Sequence, residues 1–269
     1  MTILKGSSET MFDFEETIAN GPFPIRFPKK SNLSQDEEWC EVQIDGQWKR
    51  IRFHDYREIY KVPGLYETIF YRTLRCNSPN RVSSFLADII SELGIDVSKL
   101  RVLDIGAGNG MSGEALQSIG VRKIVGIDII EEAKTAALRD RPWVYDHYLQ
   151  ADLTNLTEEQ RTFLTEYRFN TLCTIAALGF GDIPIKAFYT AYNLISDGGL
   201  IAFNIKDDFL KQSSGSPFAT LIDRMRSEEI MEIKFYKCYQ HRLNIQGQPL
   251  YYVGLIAQKR ADIPESFLV

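Results

Sequence analysis

Val102-Leu103-Asp104-Ile105-Gly106-Ala107-Gly108-Asn109-Gly110 is the stretch on which the fold turns. An apolar run meets a carboxylate and then three glycines at alternate positions. Glycines leave backbone N–H groups bare and let a ligand approach the main chain closely. Residues 100–105 read as a buried strand, and residues 111–119, closed by Gly120, as a helix. The loop therefore feeds a helix N-terminus, whose free donors and partial positive charge favour an anionic group, either a phosphate or a carboxylate.

Outward from this loop, strands and helices alternate. Ser78-Pro79 reads as an N-cap and a first-turn proline, ahead of an apolar face of Val82, Phe85, Leu86, Ile89, Ile90 and Leu93 that ends at Gly94. Residues 123–127 form a strand stopping at Asp128, residues 131–138 a helix, and residues 148–151 a short strand ending at Asp152. Thr157 and Gln160 spell a capping box. A strand over 171–178, a helix over 184–195 and a strand over 200–205 follow, and Ser216-Pro217 opens another helix. The last two strands, residues 231–243 and 251–258, are joined too closely for a parallel crossover and must run antiparallel. The expected architecture is α/β: a doubly wound, mostly parallel seven-stranded sheet with a C-terminal antiparallel hairpin. It occupies residues 78–260, preceded by an N-terminal extension (1–77) and followed by a tail (261–269). In the extension, Gly21-Pro22-Phe23-Pro24 and Phe27-Pro28 break regular structure. Residues 39–53 alternate apolar and polar about Asp45-Gly46, the pattern of a two-residue β-hairpin.

Composition sets outer limits. Hydrophobic residues are 44% and charged residues 25%, which excludes a disordered or low-complexity chain. The formal charge of −5 argues against nucleic acid or an anionic membrane as partner, since both attract a positive field. Cys40, Cys76, Cys173 and Cys238 make no CxxC pair, so no metal or redox motif is expected. Residues 1–9 hold no apolar stretch of signal-peptide length, and the longest uncharged run, 171–181, is far short of the ~20 residues of a membrane span. A cytoplasmic protein is expected.

Two ligand frames compete at the loop. Gly108, Gly110 and Gly113 spell GxGxxG, the pattern of dinucleotide-binding loops, but this frame starts two residues late, because Gly106 already follows the strand. The other frame starts at Asp104 and continues through Gly106, Gly108 and Gly110, with a carboxylate at the mouth of the site. That carboxylate would repel a pyrophosphate and suits a ligand bearing an ammonium or sulfonium.

In the second frame the chain resembles the class I S-adenosylmethionine-dependent methyltransferases, whose first motif is an acidic residue followed by GxGxG after the first strand. The resemblance covers about residues 78–260. It implies S-adenosyl-L-methionine as cofactor and S-adenosyl-L-homocysteine as product, with Asp104, Gly106, Ala107, Gly108 and Gly110 at the first motif. It implies that Asp128, with Ile129 beside it, holds the ribose hydroxyls, and that Asp152 and Leu153 approach the adenine. Ala176 and Leu178 would lie beside the methionine part. Asp197-Gly198-Gly199 resembles the usual glycine turn into the fifth strand, and the closing hairpin is a further family trait. Relatives often fold a preceding segment over the cofactor. Tyr66 and Tyr71 would then contact the methionine end or pack the extension onto the core.

Methyl transfer from a sulfonium is an in-line displacement whose leaving group needs no acid, so the protein mainly positions the nucleophile. Residues 178–184 lack the Asn/Asp-Pro-Pro-Tyr motif of resembling base and glutamine N-methyltransferases, which favours a small-molecule acceptor at O, N or C. Catalytic candidates are Asp182, as base or orienting group or as an N-cap before Pro184, and Lys206, as partner of an anionic substrate or a solvated charge. His147 and His241 are read as structural. The 39–53 hairpin is expected to add to a lid or to form a homodimer contact. The competing functions are a non-catalytic cofactor-binding module and a nicotinamide-dependent oxidoreductase.

Overall fold

The computed structural model describes residues 22–28, 33–179, 181–207 and 216–268. The expectations at residues 1–9, Gly21 and Phe180 lie outside the described residues.

Seven strands form one sheet: β4 (Arg101–Ile105), β5 (Lys123–Asp128), β6 (His147–Gln150), β7 (Thr171–Thr174), β8 (Leu200–Lys206), β9 (Met231–Leu243) and β10 (Pro249–Lys259). Their spatial order is β6-β5-β4-β7-β8-β10-β9. The first five are parallel. Strand β10 enters antiparallel between β8 and β9. Chain order reverses between β4 and β7, so a crevice opens at their carboxyl ends, the usual ligand position in such sheets.

Side chains alternate across β4. Leu103 and Ile105 join a core with Leu164 of α5 (Glu158–Tyr167), Phe188 of α6 (Ile185–Asn193) and Met225 of α7 (Pro217–Ser227). Val102 joins the opposite core, under α2 (Ser78–Glu92) and α3 (Met111–Ser118). Helix α4 (Glu131–Asp140) presents Ala133 and Ala136 to the extension. The capping box at Thr157 and Gln160 is formed: the Gln160 N–H donates to Thr157 Oγ1 at 3.2 Å, and the Thr157 N–H to Gln160 Oε1 at 3.0 Å.

Three local expectations change. The residue preceding α2 is Asn77, and Ser78 is already helical, its hydroxyl buried against Tyr239 and His241 rather than capping. Strand β7 stops at Thr174, because Ala176 adopts φ 59° and turns the chain away before Leu178. The extension is more regular than its prolines imply. The hairpin β2 (Trp39–Ile44) and β3 (Gln47–Arg52) turns at Asp45 and Gly46, both at positive φ, and β1 (Ile25–Arg26) adds a third strand. Helix α1 (Tyr56–Lys61) and a π-helical turn, Glu67–Thr73, lead to α2.

The extension is fastened to the core. Its own cluster (Ile25, Val42, Phe53, Ile69) buries Ile245 from the β9–β10 connection. Glu38 pairs with Arg242 at 2.6 Å, both nearly fully buried, and also accepts the Ile245 N–H. At the other end, Ile263 and Phe267 of the tail are buried in the main core.

Candidate active site

Strand β4 delivers the chain into the glycine loop, and Gly106, Gly108 and Gly110 all take positive φ. A Cβ on Gly106 would lie 2.8 Å from Ala177 Cβ, and one on Gly108 would lie 2.5 Å from the Tyr60 hydroxyl. The loop is pinned at three points. The Ala107 N–H donates to Ile127 O at 3.1 Å, the Gly108 N–H to Asp128 Oδ2 at 3.0 Å, and the Tyr148 hydroxyl to Gly108 O at 2.7 Å. Asp128 Oδ1 accepts the Ile130 N–H at 3.0 Å. Burial raises the Asp128 pKa, and backbone donors at Ile130, Gly108 and Ile129 partly offset the rise. The carboxylate is thus held in place at the end of β5, with lone pairs still able to accept from a diol.

Asp104 lies elsewhere than at the mouth. It alternates with Leu103 and Ile105 and so faces the α2–α3 side, where Tyr145 fills the space under the loop. It is fully buried; Oδ2 accepts the Tyr145 hydroxyl at 2.8 Å, and Oδ1 has no hydrogen-bond partner among the described residues. Burial pushes its carboxyl up to about 7 against the pull of that hydroxyl. Gly113 and Gly126 make room for the Tyr145 ring, since a Cβ on either would come within 2.9 Å of it. This gives the third glycine of the GxGxxG frame a packing role.

Three adjoining cavities occupy the crevice. The largest, about 250 Å³, runs from the loop (Gly106–Asn109) past Asp128 and Ile129 to Ala176, under Tyr56, Tyr60, Tyr66 and Tyr71 of the extension. The second, about 190 Å³, shares Gly106, Asp128 and Ile129 and is walled by Ala151, Asp152, Leu153 and Thr154. The third, about 40 Å³, sits behind His54, Tyr66 and Asp182 and is lined by Ala176, Leu178, Arg242 and Tyr252. Asp182 belongs to all three. Asp104, Gly110 and Lys206 line none of them. Lys206 pairs in register with Tyr252 at the end of β8, and Gly110 precedes α3. Asp152 Oδ1 accepts both the N–H and the hydroxyl of Thr154, at 2.8 and 2.7 Å, and these bonds lower its pKa.

The tyrosines form a connected roof, with ring centroids at 6.2 Å for Tyr56 and Tyr60, 5.1 Å for Tyr60 and Tyr66, and 6.0 Å for Tyr66 and Tyr71. Tyr66 and Tyr71 pack within the extension, and the same rings line the largest of these cavities. Glu67 ties this roof to the loop: its Oε1 accepts from Asn109 Nδ2 and from Arg141 Nη1, each at 2.8 Å. His54, Tyr56 and Tyr60 carry no sequence motif. Their proximity to the loop depends on a six-residue helix packed on α4, and the density of rings in Phe53-His54-Asp55-Tyr56 is the one signal that points to them.

Behind Ala176 lies a buried polar relay. Asn204 Oδ1 accepts the Ala176 N–H at 2.5 Å, while its Nδ2 donates to Ser78 Oγ and to the Tyr239 hydroxyl. The Ser78 hydroxyl reaches His241 Nδ1 at 2.6 Å. Burial holds His241 well below the usual histidine range, so it is neutral, stacked on Tyr252. His147 packs edge-on against Phe163. His147 thus has a packing role, while His241, held in the relay, also lines the third cavity.

The residues present suit a sulfonium nucleoside: a backbone cradle that side chains would fill, a fixed carboxylate for a diol, and an orphaned buried carboxylate oxygen beneath the loop. The sequence matches the family model described as a methyltransferase domain over residues 80–242. Among curated proteins, none matches. Solved structures similar to this chain include magnesium protoporphyrin IX methyltransferase from Synechocystis PCC 6803 with bound SAM, at 14% identity, covering 67% of this chain and 79% of that one with a TM-score of 0.46. An S-adenosylmethionine dependent methyltransferase from Mesorhizobium loti is 16% identical, with 64% and 96% covered and a TM-score of 0.43. A ribosomal protein L11 methylase from Lactobacillus delbrueckii subsp. bulgaricus is 17% identical, with 66% and 78% covered and a TM-score of 0.43. Matched over more than half of its length, the chain belongs to the methyltransferase-domain family, and its sheet has the class I methyltransferase arrangement.

Proposed function

We propose that this methyltransferase acts on a small-molecule acceptor that enters the space between the extension and the core. The cofactor supplies an electrophilic methyl group on a sulfonium when bound. In this reading Asp128 accepts the ribose hydroxyls, Ala151, Asp152 and Leu153 wall the adenine, and the glycine loop backs the amino-acid end. Asp104, beneath the loop, supplies the negative field for an ammonium. Tyr66 and Tyr71, with Tyr56 and Tyr60, exclude water from the reacting end and offer ring faces to a cation.

The observation that carries the acceptor class is the third cavity. In this reading it adjoins the methyl end at Ala176 and Ala177, and it is roofed by Phe53, His54 and Tyr56, so that folded protein or duplex nucleic acid has no room there. The negative net charge of the chain supports the same reading. Calorimetry with S-adenosylhomocysteine, followed by transfer of labelled methyl groups into separated metabolite, RNA and protein pools, tests it. Label in the metabolite pool is expected. Label confined to RNA or protein contradicts the acceptor class, and binding of NAD in place of the homocysteine nucleoside contradicts the cofactor.

A further inference from the structure

We propose that His54, oriented by Asp182, is the general base for a neutral phenolic or enolic acceptor; the inference rests on the methyltransferase reading above. His54 lies just after β3, and Asp182 lies in the segment between β7 and α6. The fold brings them together with His54 Nδ1 at 3.3 Å from Asp182 Oδ2. Both line the large cavity and the small one behind it, at the boundary an acceptor must occupy to meet a methyl group. The Tyr56 ring stands edge-on to the imidazole at 5.6 Å and limits its rotation.

A carboxylate at Nδ1 keeps the proton on that nitrogen, which makes Nε2 the atom that receives the next one. Charged and titratable groups face this pair from several elements: Tyr56 beside it, Tyr66 on the π-helical turn, Cys76 before α2, His241 and Arg242 on β9, Tyr252 on β10, and Asp128 across the large cavity. Asp36 interacts electrostatically with His54. Arg242 is committed to Glu38 at 2.6 Å, so the small cavity offers no spare cation to a carboxylate or phosphate on the acceptor. Its walls include Phe53, Tyr66, Phe70 and Tyr252. Gln35, Cys76 and the buried His241 also line it; the aromatic walls, with His54 at the boundary, suit a planar, uncharged molecule whose hydroxyl ionises.

The step balances without an added reagent. The acceptor oxygen bonds to the methyl carbon as the carbon–sulfur bond breaks, and that bond's electron pair stays on sulfur as a neutral thioether. The hydroxyl proton passes to His54 Nε2, the imidazolium is countered by Asp182, and the proton leaves to water.

The test uses 4-nitrophenol, whose phenolate is read by visible absorbance, with protein saturated in S-adenosylhomocysteine. The bound phenol is expected to ionise about one pH unit or more below its value in buffer, the differential a nearby base provides. His54→Gln and His54→Asn should abolish that shift, and Asp182→Asn should reduce it. Transfer from S-adenosylmethionine to 4-nitrophenol should fall by about 10²-fold or more in both His54 variants. Failure of 4-nitrophenol to bind, an equal phenolate shift in wild type and His54→Gln, or transfer that survives both substitutions overturns the proposal. Failure of the wild type to bind S-adenosylhomocysteine overturns the methyltransferase reading, and the inference with it.

Discussion

Gly108→Ala probes the contact on which the site depends, between the glycine loop and the roof. Gly108 sits at φ 53°, where a side chain costs ~1–2 kcal/mol. The new Cβ would also lie 2.5 Å from the Tyr60 hydroxyl and 3.4 Å from the ring carbon that bears it. Tyr60 cannot swing aside cheaply, because its ring is buried between Tyr56 and Tyr66 and against Ala133 and Ala136. Overpacking of this kind adds about 1–3 kcal/mol. The sum, roughly 2–5 kcal/mol, corresponds to a fall in Tm of roughly 4–20 °C for a chain of this size. Tyr60→Phe removes the hydroxyl and leaves the 3.4 Å contact, which is ordinary. The double variant Gly108→Ala/Tyr60→Phe should therefore recover the steric part and retain the backbone part. Differential scanning fluorimetry of the four proteins, with calorimetric affinity for S-adenosylhomocysteine, reads both. Purely additive Tm changes, with no recovery in the double variant, would refute the contact and with it the placement of the roof on the loop.

Three other outcomes follow from the same geometry. Asp128→Ala should weaken S-adenosylhomocysteine binding by about 1–3 kcal/mol, roughly 5- to 150-fold in Kd, through loss of charge-assisted hydrogen bonds to a diol; unchanged affinity by calorimetry would remove Asp128 from the ribose site. Ser78→Ala takes away the hydroxyl shared by His241, Tyr239 and Asn204 and should cost about 1–3 kcal/mol, seen as a loss of roughly 2–12 °C in Tm. Asp104→Asn should change the pH dependence of stability. Burial pushes the folded carboxyl up to about 7, against about 3.9 for a free aspartate, so the folded state holds its proton more tightly, and wild-type stability falls by up to about 4 kcal/mol as pH rises from ~4 to ~7. The asparagine variant lacks that fall, so its Tm relative to wild type should be higher at pH 8 than at pH 4.5; equal differences at both pH values would contradict the burial of an uncompensated carboxylate.

What could be read from sequence was local. The positive φ of Gly106 and Gly108, the end of β5 at Asp128, the Asp45-Gly46 turn and the Thr157–Gln160 box each depend on a few adjacent residues, and each is legible. The closing hairpin follows from the shortness of its connection. The features that escaped depend on contacts distant in the chain. Asp104 was expected at the mouth, yet its burial is set by Tyr145 on the connection before β6. The length of β7 is limited by the Asn204 side chain, which holds the Ala176 N–H. Ser78 has the form of a cap, but its hydroxyl is drawn inward by two residues of β9. The extension escaped for another reason. Helix α1 is too short to show periodicity and the π-helical turn has none of the 3.6-residue kind, so neither leaves a pattern even though together they place four tyrosines over the loop.

A crystal structure of the S-adenosylhomocysteine complex tests the central claim most directly. The ribose hydroxyls should lie on the Asp128 carboxylate, the adenine should lie between Ile129 and Leu153, and the homocysteine sulfur should lie under Tyr66 beside Ala176. A nucleoside bound outside the crevice, or a crevice still filled by the tyrosine rings at saturating ligand, would contradict the account.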